Sequence, residues 1–192
     1  MAYLEGGLGA CEMGGGRVYR EVQRLREPER LALLEAERVA SMCLHDHEVR
    51  TVLDIGTGSG IFAEVFVNLG LDVTGIDIQE PMLEVARKFV PRAHFQLGAA
   101  ENLPFGDGSF DLCFLGLVLH ESSRPLRALR ETCRVSALGA AVLEWSYREE
   151  AVGPPLKHRL KTVDVLRRAN AAGFSRIQAI SLEHLVLFLM DK

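Results

Sequence analysis

Thr51-Val52-Leu53-Asp54-Ile55-Gly56-Thr57-Gly58-Ser59-Gly60 is the stretch whose reading decides the fold of this chain. Its first five residues are β-branched or apolar apart from Asp54, the character of a short strand buried on both faces. Glycines at 56, 58 and 60 follow at once. Phe62, Val65, Phe66 and Leu69 then recur at helical spacing, and Gly70 closes that helix. A glycine-rich turn between a buried strand and a helix lets backbone come close to a nucleotide-like ligand.

Outward from this stretch, strand and helix signals alternate. A second strand is predicted over 71–76, and Met82, Val85, Ala86 and Phe89 mark a helix set between Pro81 and Pro91. Strands at 94–97 and 110–115 flank a turn-rich stretch, 104–109. A helix over 125–135 follows, with Leu126, Leu129 and Cys133 on one side, and then a strand over 139–145. Residues 156–172 read as a helix closed by Gly173, ahead of two final strands near 176–180 and 184–190. Upstream, a glycine-rich arm covers 1–16, and 17–26 and 29–44 have helical composition. The interleaving predicts a Rossmann-like α/β fold, a three-layer sandwich with helices on both faces of a mostly parallel sheet. About three residues join the last two strands, too few for a parallel crossover, so the final strand is expected to be antiparallel.

Two residues choose the ligand. A pyrophosphate-binding loop wants glycine or alanine where this chain has Ile61. Asp54 would repel a pyrophosphate and attract a ligand carrying an ammonium and a sulfonium. Asp77 ends the second strand about 20 residues beyond the first glycine, where an acid accepts hydrogen bonds from ribose hydroxyls. A nicotinamide-dependent oxidoreductase is disfavoured on both counts.

Composition removes other classes. The 192 residues suit one domain with a sizeable core. A net charge of −4 offers no electrostatic footprint for nucleic acid, and the basic cluster over 157–168 reads as the wet side of a helix. Apolar runs are strand-length, so no membrane span is expected. Cys11, Cys43, Cys113 and Cys133 form no Cys-x-x-Cys pair; Cys113 and Cys133 read as small core residues. With no signal-peptide pattern at the start, a cytoplasmic protein is expected. His45-Asp46-His47 lacks an evident third ligand, so no metal is expected.

Together these motifs resemble the class I S-adenosylmethionine-dependent methyltransferases, in the broad group of ubiquinone/menaquinone C-methyltransferases. The resemblance runs over 49–192. Asp54 to Gly60 resembles the family's first motif and Asp77 its ribose-binding acid. Gly98-Ala99-Ala100-Glu101-Asn102-Leu103-Pro104-Phe105 with Ser109-Phe110-Asp111 resembles the adenine-side segment. Leu117-Val118-Leu119-His120 resembles the segment after strand four, and Glu131-Thr132-Cys133-Arg134-Val135 the helix beyond it. The resemblance implies strand order 3-2-1-4-5-7-6 with strand seven antiparallel. It also implies a cofactor, S-adenosylmethionine, left as S-adenosylhomocysteine. Its methionine end is expected near Gly56, Thr57, Gly58, Gly60 and the backbone of Leu115 and Gly116, with Ile78 and Met82 flanking the adenosine. Adenine would meet the backbone of Ala100 and Glu101, because Ala99 stands where the family often has an acid.

The implied division is an N-terminal arm with site-capping helices over 1–48, and a methyltransferase domain over 49–192. The expected partner is a small-molecule methyl acceptor, and the expected state a monomer or homodimer. Such a donor is already activated, so alignment supplies most of the catalysis, and a base helps only where the acceptor carries a proton. His120 and Glu121 are the catalytic candidates. Glu144 and Trp145 end strand five at the expected acceptor pocket, and Tyr19 and Arg17 could close over it. In place of the family's Asn-Pro-Pro-Tyr type segment stands Leu115-Gly116-Leu117, which suits carbon, oxygen or sulfur acceptors better than planar amines. A non-catalytic S-adenosylmethionine-binding or regulatory protein is the alternative.

Overall fold

The computed structural model describes residues 25–45 and 48–192. β1 (Thr51–Ile55) takes an interior position in the sheet because Val52, Leu53 and Ile55 are apolar on both faces and fully buried. β2 (Asp72–Asp77) and β4 (Phe110–Gly116) pair with it in parallel, one on each side. With β3 (His94–Leu97), β5 (Ser136–Trp145), β6 (Ile177–Ser181) and β7 (Leu185–Asp191), the order is β3-β2-β1-β4-β5-β7-β6. β7 runs antiparallel to both β5 and β6, as the short final link requires. The order reverses between β1 and β4, so their carboxyl ends open a crevice at a topological switch point.

Helices cover both faces. α1 (Pro28–Leu34) and α2 (Ala36–Cys43) precede β1, and α3 (Ile61–Asn68) leaves the glycine turn. α4 (Glu80–Phe89), α5 (Pro125–Val135) and α6 (Thr162–Ala172) follow. On one face Val52, Phe62, Phe66, Phe114 and Leu185 share a core with Val39 and Ala40 of α2; on the other, Leu53, Leu115, Leu129, Val142 and Val165 share a second. Cys43, Cys113 and Cys133 are buried free thiols; Cys11 lies outside the described residues. Among the described residues no helix is long and apolar enough to cross a membrane.

Two helices depart from the sequence reading. The segment expected as one helix over 29–44 breaks at Glu35, whose φ of 46° is left-handed. A continuous helix would point Leu34 and Ala36 to nearly opposite sides, and the break lets both be buried. The helix expected over 156–172 begins only at Thr162, after a single 3₁₀ turn at Leu156–His158. The cause is Arg159, expected on a wet helix face but in fact 5% exposed. Its guanidinium donates to the carbonyls of Pro154, Ser146 and Val152 and pairs with Glu150, which holds its backbone extended. Residues 17–24 of the first expected helix lie outside the described residues.

Phe66 is fully buried and meets the Phe114 ring edge-on, with centroids 5.5 Å apart. Phe66→Ala is expected to cost about 3–5 kcal/mol by opening a cavity under the central strands. Chemical denaturation should show a lowered midpoint with an unchanged slope.

Candidate active site

The turn after β1 is built from left-handed backbone: φ is 69° at Gly56, 53° at Gly58 and 78° at Gly60. Gly56 is constrained twice, since a Cβ there would stand 2.3 Å from a methyl of Val118. The turn is pinned to β2 by the Thr57 N–H, which donates to the carbonyl of Ile76 at 2.8 Å. Asp77, at the carboxyl end of β2, makes the second clamp. One of its oxygens accepts the Gly58 N–H at 2.9 Å and the other the Gln79 N–H at 2.9 Å. Burial raises its carboxyl above the usual range against these bonds.

Asp54 lies beneath the turn, 2% exposed, and accepts the Thr57 hydroxyl at 2.6 Å. Burial pushes its carboxyl up to about 7, against the bonds from Thr57 and the Ala63 backbone, with Asp77's charge adding to the rise. Ser59 contributes a buried hydroxyl with no hydrogen-bond partner among the described residues, while its carbonyl accepts Arg26 at 2.6 Å. Ile78, 71% exposed, stands just past Asp77, and Met82 is half-buried in the first turn of α4. Ala99 closes a one-bridge turn with Asn102, and Ala100 is buried behind it. Glu101 accepts the Ser122 hydroxyl at 2.5 Å, which ties this segment to the loop after β4.

That loop makes the other wall. Leu115 is buried and Gly116 ends β4. Leu117 adopts a φ of 60°, uncommon for a branched residue, with its N–H on the Leu143 carbonyl at 2.8 Å. The bend lays Val118 against Gly56 and returns His120 to the end of β5. There the His120 backbone N–H donates to Glu144 Oε1 at 2.9 Å, and ring Nδ1 lies 2.9 Å from Glu144 Oε2. His120 Nε2 is 3.9 Å from Glu121 Oε1. Burial pulls the His120 imidazolium down, but Glu144's hydrogen bond and charge, with Glu121's charge, outweigh it and set the ring above the ordinary histidine range; Arg159 opposes them. Glu121 is raised by burial, eased by His120 and Arg30 and reinforced by Glu144 and Asp77.

Residues 53–143 match the methyltransferase domain family. A demethylmenaquinone methyltransferase of Renibacterium salmoninarum is 34% identical over 103 residues, 54% of this chain and 44% of that protein. A malonyl-[acyl-carrier protein] O-methyltransferase of Serratia marcescens is 36% identical over 97 residues, 50% of this chain and 38% of that protein. The chain thus spans less than half the length of these curated relatives. A S-adenosylmethionine-dependent methyltransferase structure from Aquifex aeolicus superposes with a TM-score of 0.80 at 26% identity, over 90% of this chain and 97% of that one. In its matched domain and its fold the chain is similar to the S-adenosylmethionine-dependent methyltransferases.

The matched span stops one residue short of Glu144, the partner of His120. The structure gathers Asp54, Thr57, Gly58 and Asp77 into one cluster and His120, Glu121 and Glu144 into a second. Trp145 is 4% exposed, its ring packed beside Gly153 and 5.4 Å from the Arg159 guanidinium, so it braces the wall. Tyr19, Arg17, Asp46 and His47 lie outside the described residues. Among the described residues no group of three or more His, Cys, Asp or Glu could hold a metal ion. Sequence reasoning missed Arg26 and Arg30. Arg26 clasps the glycine turn from behind. Burial lowers Arg30, on α1, against the pull of Glu121's charge, and its Nε is buried without a partner among the described residues. No local pattern marks either arginine.

Asp54 carries a pH dependence whose sign is fixed. Its folded carboxyl holds a proton up to about 7 against 3.8 unperturbed, so its contribution to stability is full below 3.8 and lost as pH rises through about 7. Asp54→Asn is expected to gain stability relative to the parent progressively over that interval, by on the order of a few kcal/mol. Denaturant midpoints at pH 4, 5.5 and 7 measure it, and a difference that stays constant across the three contradicts this account.

Proposed function

We propose that the chain moves a methyl group from S-adenosylmethionine to a small-molecule acceptor in the crevice between the glycine turn and the loop after β4. The observation that carries the reading is the Asp77 clamp. One carboxylate locks the glycine turn through Gly58 and still has lone pairs free at the mouth of the crevice. Those lone pairs suit ribose hydroxyls, and exposed Ile78 beside them suits an adenosine face. The Ser59 hydroxyl, without a partner among the described residues, and the close approach that the glycines at 56, 58 and 60 allow suit a polar amino-acid tail. The Asp77 carboxylate at the turn, joined by Asp54 as that group ionises through about pH 7, favours a cationic sulfonium ligand over a pyrophosphate. The residues therefore fit the donor that the family implies.

On the same reading, Met82 backs the adenosine, and Ala99, Ala100 and Glu101 meet the adenine edge through backbone. Leu115 and Gly116 border the transfer point. Bound there, the sulfonium donor would supply an activated methyl group for in-line displacement. The chain's own contribution is alignment and exclusion of water: two clamps on the turn and a rigid β4–β5 wall opposite. His120 and Glu121 stand on the acceptor side, with Glu144 behind them. Of the segment over 1–48, the part ahead of α2, Tyr19 included, is assigned to capping the acceptor, while α2 packs Val39 and Ala40 into the core on one sheet face. Relatives named for methylating demethylmenaquinone and malonyl-[acyl-carrier protein] support an acceptor outside nucleic acid. We assign the chain to the cytoplasm, as a monomer or homodimer.

Calorimetric titration with S-adenosylhomocysteine and, separately, with NAD tests the donor. Binding of the first and not the second is expected; the reverse would overturn the reading. Asp77→Ala is expected to weaken S-adenosylhomocysteine binding by about 1–3 kcal/mol through loss of a hydrogen-bonding partner and release of the turn. Unchanged affinity in that variant removes the ribose assignment.

A further inference from the structure

Resting on the methyltransferase reading above, the geometry points to His120 as a general base whose Nε2 is reserved for the acceptor by Glu144, and therefore to an acceptor bearing a phenol- or enol-type hydroxyl. Glu144 is the positioning residue. Its side chain is 1% exposed, and three donors converge on it: the N–H of His120 at 2.9 Å, the N–H of Trp145 at 3.2 Å, and His120 Nδ1 at 2.9 and 3.1 Å from its two oxygens. A carboxylate already accepting two backbone N–H groups takes Nδ1 as a donor, so the ring proton sits on Nδ1 and Nε2 keeps its lone pair. Among the described residues the ion-pair contact at Nε2 is with Glu121, 3.9 Å away, beyond hydrogen-bonding distance.

The mount is rigid. Glu144 belongs to a strand paired with β4 on one side and β7 on the other, opposite Val186. The loop carrying His120 is fixed to the same strand by Leu117 on the Leu143 carbonyl. The charged groups facing the ring are Glu144 from β5, Glu121 from its own loop, and Arg159 from the segment beyond β5. Two acids against one guanidinium favour the imidazolium that forms when Nε2 takes a proton.

Such a base selects among acceptors. A carboxylate is already ionised near neutral pH, and an amine attacks with its own lone pair and sheds a proton afterwards. A phenol, with a pKa of about 10, needs its proton removed as it attacks and lies within a few units of an imidazole. The step balances. The acceptor O–H bond breaks and its proton passes to Nε2, while the oxygen pair forms the new bond to carbon. The carbon–sulfur bond breaks with its electron pair left on sulfur, so one positive charge passes from sulfonium to imidazolium.

Nitrogen-15 spectra of the histidine-labelled full chain, saturated with S-adenosylhomocysteine, test the geometry without catalysis. One ring, absent from the His120→Gln spectrum, should carry its proton on Nδ1 and titrate above the ordinary histidine range. Glu144→Gln, which keeps an acceptor for Nδ1, should retain that tautomer and lower the midpoint; Glu144→Leu should lose the tautomer. A proton on Nε2 in the parent, or a midpoint unmoved in Glu144→Gln, overturns the assignment. Transfer of labelled methyl to catechol, 2-naphthol, benzoate and benzylamine tests the acceptor class. Methylation of a phenol is expected, with kcat about 10²-fold lower or worse in His120→Gln and KM within about 3-fold. Transfer to neither phenol, or a phenol rate unaffected by His120→Gln, counts against the inference. Loss of S-adenosylhomocysteine binding in the parent is a separate failure, of the donor reading itself.

Discussion

The hydrogen bond from the Gly58 N–H to the Asp77 carboxylate is the contact on which the rest of the crevice depends. It joins the turn after β1 to the end of β2, two neighbours of a parallel sheet that strand pairing alone leaves free to splay past their last ladder bond. With Gly58 held, the three left-handed glycines have one arrangement open to them, and α3 leaves the turn in the direction that lays Phe62 and Phe66 on Phe114. Asp54 supports the same turn from beneath through Thr57. Two carboxyls thus shape a loop that carries no charge of its own.

The opposite wall obeys a different constraint. Leu117 occupies left-handed backbone that a branched side chain resists, a conformation that persists only where the surroundings over-determine it. Here they are the Leu143 carbonyl, the tight meeting of Val118 with Gly56, and the Glu144 carboxylate under His120. The cost of the bend is offset by contacts that hold the imidazole, 9% exposed, against the end of β5. Neither wall is independent, since Val118 of one rests on Gly56 of the other.

Much of this was legible in the chain itself, and the exceptions have physical causes. β1, β3 and α5 coincide with their expected ends because glycine, proline or a change of hydrophobic period bounds each one. The antiparallel β7 followed from the length of one link. The start of α6 did not, because Arg159 is drawn out of helical backbone by carbonyls elsewhere in the loop, and a basic residue in a basic cluster gives no sign of burial. The break at Glu35 is equally a tertiary effect. In the crevice, Asp54, Gly56, Gly58 and Asp77 could be picked out because their spacing is local. The pairing of His120 with Glu144 joins residues 24 positions apart, and strand register creates it. The sequence places His120 among the catalytic candidates and Glu144 at the acceptor pocket, with no sign that the two face each other.

The antiparallel insertion of β7 between β5 and β6 carries a consequence for how such a chain changes its chemistry. It gives β5 hydrogen-bonded neighbours on both edges, so the carboxylate behind His120 is mounted on an interior strand of the sheet. On the proposed function, recognition of the acceptor's shape falls to segments outside the sheet, and such segments tolerate substitution far better. Proton handling and acceptor choice are therefore separable. A lineage built this way can exchange the covering segment and acquire a new acceptor while the imidazole and its buried partner stay as they are.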